Sequence, residues 1–145
     1  MPNLFPGAGL AGRVAGSEKS IMVTDPIADM FNSLRNAVLA GRTEVVVPYS
    51  RLKEEVAKLL VAEGYLVEAR KFKQQGGTRF FLALQNPRLE HLRRLSRPGA
   101  RWYVSWRRLQ DPPLGMTIVS TPAGIMTQKQ ARKKKIGGEL LGEIW

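Results

Sequence analysis

Ser120 and Thr121 are the residues whose types and placement most invite a chemical reading. They end the apolar run Met116-Thr117-Ile118-Val119, precede Pro122-Ala123-Gly124, and are soon followed by Lys129, Arg132, Lys133, Lys134 and Lys135. A hydroxyl can act as a nucleophile, but it needs a base to take its proton and a third group to orient that base. His91 is the single histidine, it lies across the Pro112-Pro113 break from the hydroxyls, and the chain has no cysteine. One imidazole and no thiolate leave the usual zinc ligand sets unfilled. Asp25, Asp29, Glu54 and Glu55 are scattered carboxylates that suggest no shared acid–base pocket. Hydrogen bonding remains: small hydroxyls on a tight turn, beside concentrated positive charge, suit a surface that meets bases and phosphates together. Ordinary turn chemistry also places small hydroxyls before Pro and Gly. The adjacent basic segment favours the binding surface over the turn alone.

Charge points the same way. The 145 residues carry 23 Lys and Arg against 12 Asp and Glu, a net +11. A field of that sign favours phosphate polymers over small neutral substrates. It is concentrated toward the C-terminus, with a net +3 over residues 1–87 and +8 over 88–145. The segment 129–135 contains five bases and no acid, which leaves no partner within it to neutralise them. Arg93, Arg94, Arg97, Arg101, Arg107 and Arg108 alternate with Trp102, Tyr103 and Trp106. Guanidinium groups suit phosphate forks and stacking on unpaired bases. Of these aromatics Trp102 is assigned to the core. No apolar stretch approaches the roughly 20 residues of a membrane-spanning helix, and the basic segment lacks the extended apolar face of a membrane-surface helix.

The elements that must position these groups can be read from caps and periodicity. Residues 1–21 are rich in Gly, Ala and Pro without sustained period and are expected to form a disordered extension, with Met22 a candidate start. Asp25 with Pro26 caps a helix whose inner stripe is Ile27, Met30, Phe31, Leu34 and Val38, and Gly41 ends it. Glu44–Val47 is a short strand. Ser50 caps a second helix with the inner stripe Leu52, Val56, Leu59 and Leu60. Residues 65–73 and 78–85 form a hairpin around Gly76-Gly77. Asn86-Pro87 marks a boundary. Beyond it, 89–95 and 101–104 are strands around Pro98-Gly99, and 116–120 is a buried strand. Thr127 caps the basic helix, Gly137-Gly138 ends it, and 139–145 closes a sheet. The fold class is α+β: two small α/β units packed together, residues 22–86 and the strand-rich residues 87–145.

These residues together resemble the small-subunit ribosomal protein S-eight family. The resemblance rests first on Gly115, Ile118-Val119, Ser120-Thr121, Gly124, Ile125-Met126 and Ala131-Arg132 at the family's spacings. Asp25-Pro26-Ile27-Ala28-Asp29-Met30 with Arg35-Asn36, and Val47-Pro48-Tyr49-Ser50 with Leu52-Lys53, support it independently. So do Ser96-Arg97-Pro98-Gly99 with Arg101 and Tyr103, and Gly137-Gly138-Glu139. It runs from about Val23 to Trp145.

The resemblance implies a non-catalytic constituent of a bacterial-type small ribosomal subunit in the cytoplasm, without cofactor, metal, membrane or small-molecule substrate. Its partners would be the central domain of small-subunit ribosomal RNA, bound early in assembly, and neighbouring small-subunit proteins. Ser120 and Thr121, in the turn with Pro122 and Gly124, would bond bases and backbone at an irregular helix, where unpaired bases open a groove that regular A-form RNA hides. Arg101 and Tyr103 would contact sugar, phosphate or base, and Arg97 belongs to the same arginine-rich run. Arg35 and Lys53 would reach a second RNA segment, while Lys129, Arg132 and Lys133 would add phosphate affinity. Three departures stand out: Pro122 and Ala123 replace a hydroxyl and a base of the turn, Pro112-Pro113 occupies a place where the family often has a brief helix, and Gly142-Glu143 replaces apolar residues. The same surface could instead repress translation of the protein's own messenger.

Overall fold

The computed structural model describes residues 25–145. The expected extension over residues 1–21 lies outside them. Helix α1 spans Pro26–Leu39, strand β1 Glu44–Pro48 and helix α2 Arg51–Ala62, followed by β2 (Glu68–Lys73) and β3 (Phe80–Gln85). Then come β4 (Leu92–Arg94), β5 (Tyr103–Val104), a 3-10 turn over Trp106–Arg108, β6 (Met116–Thr121), β7 (Gly124–Thr127), α3 (Gln128–Lys133) and β8 (Gly138–Ile144). The fold is α+β as expected. One antiparallel sheet has the order β1-β3-β2; the other runs β4-β8-β6-β7, with β5 also on β8.

Local chemistry starts both long helices. The Asp25 carboxylate accepts the Ala28 amide at 3.2 Å, and Ser50 Oγ accepts the Lys53 amide at 3.1 Å. Each cap satisfies a backbone donor that the helix itself leaves free. The α1 stripe Ile27, Met30, Phe31 and Leu34 is buried as predicted, with Val38 at its edge.

Of the expected α2 stripe Val56, Leu59 and Leu60 are buried, and Leu52 is the exception. Lys53 faces inward with Val56, Ala57 and Leu60, whereas Leu52 is exposed. Residues 53, 56, 57 and 60 satisfy helical spacing as well as the more apolar set does. The Pro48 carbonyl decides between them by accepting Lys53 Nζ at 3.0 Å. Burial lowers the Lys53 pKa below the usual lysine value, partly offset by the negative charge of Asp29.

One large core joins the two sheets: α1 and α2 pack Phe31, Leu34, Val56 and Leu60 against Leu82 and Leu84 of the first sheet and Met116, Ile118, Leu141 and Ile144 of the second. A smaller core of Leu109, Val119, Met126, Ala131 and Leu140 lies on the other face of the second sheet, under α3. Strand β6 is therefore apolar on both faces because both are covered.

Two further expectations are corrected. Trp102 is 49% exposed, at the rim of a cleft with Leu95, Val104 and Leu109, and Trp106 packs against the smaller core instead. Strand β5 is only two residues long, so alternation reaches Trp102 without covering it. Helix α3 stops before Gly137-Gly138: Lys134 caps it and Lys135 takes the left-handed conformation, φ 57°. The glycines serve the strand, since a Cβ on Gly138 would overlap the Ser120 carbonyl. Gly142 has a similar reason, because a Cβ there would meet the Phe31 ring and the Arg93 carbonyl.

Candidate nucleic-acid interface

Ser120 stands near the end of β6, opposite Glu139 on β8, and Glu139 in turn stands opposite Tyr103 on β5. Residues paired across antiparallel strands leave the sheet on the same face, and two strand spacings separate Tyr103 from Ser120 by about 10 Å. A bulge makes this row. The pairing shifts from Ile118 with Gly142 to Val119 with Leu140, leaving Leu141 as the extra residue. Without it Ser120 would face Leu140, and Glu139 would turn to the opposite face.

Glu139 organises its surroundings. Its carboxylate accepts Ser96 Oγ at 2.5 Å and Arg101 Nη1 at 3.2 Å. Fully buried Ser96 also accepts the Trp102 amide at 3.0 Å, which fixes the 96–102 turn to the sheet. Arg101 is thus held by one carboxylate while most of it stays open, and Tyr103 is 66% exposed. Sequence reasoning gave neither Glu139 nor Ser96 a role at the site. The run Gly137-Gly138-Glu139 was visible, but the cross-strand pairing that gives it meaning was not.

Ser120 and Thr121 diverge. Successive strand residues face opposite ways. Ser120 is partly exposed in a groove lined by Arg51, Leu52 and Glu55 of α2 and by the Ser120–Ile125 turn. The Thr121 hydroxyl lies inside the turn, donating to the Gly124 carbonyl at 2.8 Å and accepting the Ala123 amide at 3.1 Å. Pro122 and Ala123 form the exposed two-residue loop between β6 and β7. Gly124 closes it with φ 121°, a conformation suited to glycine.

The other expected residues fall into separate places. Arg35 and Arg97 line a second groove with Asn32, Arg93 and Pro98, and Arg35 donates to Asn32 at 2.6 Å. Beside it, Arg94 Nε reaches both oxygens of Asp25 at 3.2 and 3.0 Å, and Arg94 Nη1 donates to the Leu141 carbonyl at 2.6 Å. That pair ties the start of α1 to the second sheet. Lys53, only 6% exposed, is not on either groove.

On the opposite face of the sheet, α3 carries Lys129 and Lys133 exposed. No acid within the segment neutralises its five bases, but Arg132 finds a partner outside it, bonding Asp111 at 2.9 Å and the Leu109 carbonyl at 3.1 Å. The hydrogen bond from Arg132, with another from Gln128, holds the Asp111 carboxyl below its usual pKa. Among the described residues no ion pair engages Lys129, Lys133, Lys134 or Lys135. No cluster of three potential metal ligands occurs among them, and no helix is long and apolar enough to cross a membrane.

This fold and this face describe an α+β protein that presents hydroxyl, phenol and guanidinium groups from a basic surface. The family model "Ribosomal protein S8" matches residues 25–145. The chain is 40% identical over 131 residues to small ribosomal subunit protein uS8 of Sorangium cellulosum and 44% identical over 135 residues to that of Porphyromonas gingivalis. It is 38% identical over 138 residues to uS8 of Thermus aquaticus. These alignments cover 85–86% of this chain and 100% of each relative. The chain belongs to the ribosomal protein S8 family, whose members are structural proteins and not enzymes.

Proposed function

We propose that the Arg101–Tyr103–Glu139–Ser120 face reads an irregular, partly unpaired segment in the central domain of small-subunit ribosomal RNA. The chain is a structural constituent of the small ribosomal subunit of the bacterial type, in the cytoplasm, with ribosomal RNA and other ribosomal proteins as its partners. The observation that carries the finer reading is the row of Tyr103, Glu139 and Ser120 across three strands. It places a π face, a held guanidinium and a hydroxyl within one nucleotide's reach of each other, as recognition of splayed bases requires.

Roles divide by placement. Ser120 and Tyr103 contact base or sugar, and Arg101 bridges to phosphate while Glu139 fixes its direction. Thr121, Pro122 and Gly124 shape the turn, and the loop backbone supplies its remaining contacts. Arg35 and Arg97 engage a second RNA segment in their own groove. Lys129 and Lys133 add phosphate affinity from the other side, with Arg132 holding α3 in place. Lys53 supports the α2 frame rather than touching RNA. In this scheme residues 87–145 carry the specific contacts, and residues 22–86 orient them and meet the second segment. Binding both segments fixes their relative orientation and lowers the entropic cost of later assembly steps.

The test is binding of the full chain to an internal-loop fragment of its own small-subunit ribosomal RNA and to a fully paired control of equal length, each across a salt series. Tight binding to the looped fragment at physiological salt, with weak and steeply salt-dependent binding to the control, is the expected result. Equal affinity for both at every salt would overturn the reading.

A further inference from the structure

The β2–β3 hairpin carries a second concentration of charge and aromatic rings, on the sheet that does not hold Ser120. Residues 69–81 contain Arg70, Lys71, Lys73 and Arg79 and no acid, together with Phe72, Phe80 and Phe81. The register sorts them onto two faces. Opposite residues on β2, β3 and β1 give an outer face with the rows Glu68, Gln85, Glu44, then Arg70, Ala83, Val46, then Phe72, Phe81, Pro48, so its two acids lie at the end away from the hairpin turn. This face is turned away from the core, which takes Leu82, Leu84, Val45 and Val47.

Phe72 and Phe81 form a stacked pair there, with centroids 5.9 Å apart and an interplanar angle of 29°. Both rings are only partly buried, and the Arg79 guanidinium lies 5.8 Å from the Phe81 centroid. On the hairpin's other face Lys71 Nζ sits 4.2 Å from the Tyr49 centroid and 4.6 Å from that of Phe80, whose ring is 44% exposed. Cations are therefore held against rings on both faces of the tip. Exposed rings alone would suit a hydrophobic protein surface. Four bases at the turn end of the hairpin, with Glu44 and Glu68 two rows away at the other end of the sheet, favour a polyanion, and a polyanion with flat faces to stack is an unpaired nucleic acid strand.

We propose that the β2–β3 hairpin is an additional single-stranded RNA contact, with a base stacking on the Phe72–Phe81 platform and phosphates meeting Arg70 and Arg79. This surface stands independently of the Ser120 face, because its rings and charges lie on a different sheet. Stacking makes it tolerant of base identity, while the arginines make it sensitive to salt.

The experiment measures binding of the full chain to a fluorescent ten-nucleotide uridine RNA across a salt series. Phe72→Leu with Phe81→Leu keeps apolar volume but removes the π faces, and Arg79→Gln removes one exposed cation. The leucine variant is expected to lose about tenfold in affinity for the oligomer, and Arg79→Gln a smaller amount. Thermal unfolding of both hairpin variants should stay close to that of the wild type, and a folded Arg79→Gln decides the matter if the leucine variant does not fold. Wild-type affinity in folded hairpin variants would overturn the proposal and leave only a charged surface. The same result, with the leucine variant failing to associate with purified small-subunit proteins, would make the hairpin a protein-docking face instead. If the looped RNA fragment is not recognised but uridine binding still depends on Phe72 and Phe81, the reading of the Ser120 face falls and this one stands.

Discussion

The two faces of the second sheet present positive charge in opposite ways. On the Ser120 face, Arg101 is directed by Glu139, Glu139 is directed by Ser96, and a bulge in β8 sets the row they share. Under the other face, Lys129 and Lys133 extend from α3 with no ion pair among the described residues. A guanidinium already held in place gives up less freedom on binding and prefers one arrangement of acceptors. A free lysine accepts almost any phosphate. The difference teaches that position, not quantity of charge, separates selective from general affinity in this molecule. Both arrangements occur within one small sheet.

The frame behind the positioned face offers the largest effect. Asp25 caps α1 and pairs with Arg94, whose other nitrogen holds the Leu141 carbonyl at the bulge. Asp25→Ala removes the cap and leaves Arg94 without its carboxylate in a site where both side chains are mostly buried. We expect a loss of about 3 kcal/mol in urea unfolding, with RNA discrimination recovered once the variant is fully folded. A loss below about 0.5 kcal/mol would mean that the two sheets are joined by the core alone.

The rim comes next. Lys129→Gln with Lys133→Gln removes two unneutralised charges and should lower the slope of log affinity against log salt by about 1.5, equally for looped and paired RNA. Affinity at physiological salt should fall about tenfold on both. A loss confined to the looped fragment would erase the distinction between the faces.

Much of this frame can be read from neighbours in the chain. Asp25-Pro26, Ser50 and Thr127 announce helix starts because a cap and the amide it satisfies are separated by only two or three residues. The α1 stripe and β6 follow from apolar spacing. Features that depend on where a partner atom stands in space were not legible. Lys53 turns inward because the Pro48 carbonyl receives it, a contact that helical periodicity does not encode. Trp102 stays half open because β5 is short, and Arg132 is paired because Asp111 arrives from a separate loop. The site shows the same division. Ser120 was visible as a hydroxyl near a strand end, while its alignment with Tyr103 and Glu139 arises from a one-residue bulge. Thr121 looked equivalent to Ser120, yet strand alternation and the turn take its hydroxyl inward.

The most direct test of positioned contact is Ser120→Ala, measured against the looped and the fully paired RNA at one physiological salt concentration. The substitution removes a single oxygen that makes no side-chain hydrogen bond among the described residues, so the fold should be unaffected. The expected result is a loss of about 1 kcal/mol or somewhat more on the looped fragment, the scale of one hydrogen bond at an interface, with affinity for the paired control unchanged. Equal loss on both RNAs, or no loss on either, would contradict the claim that this face recognises its target through placed groups.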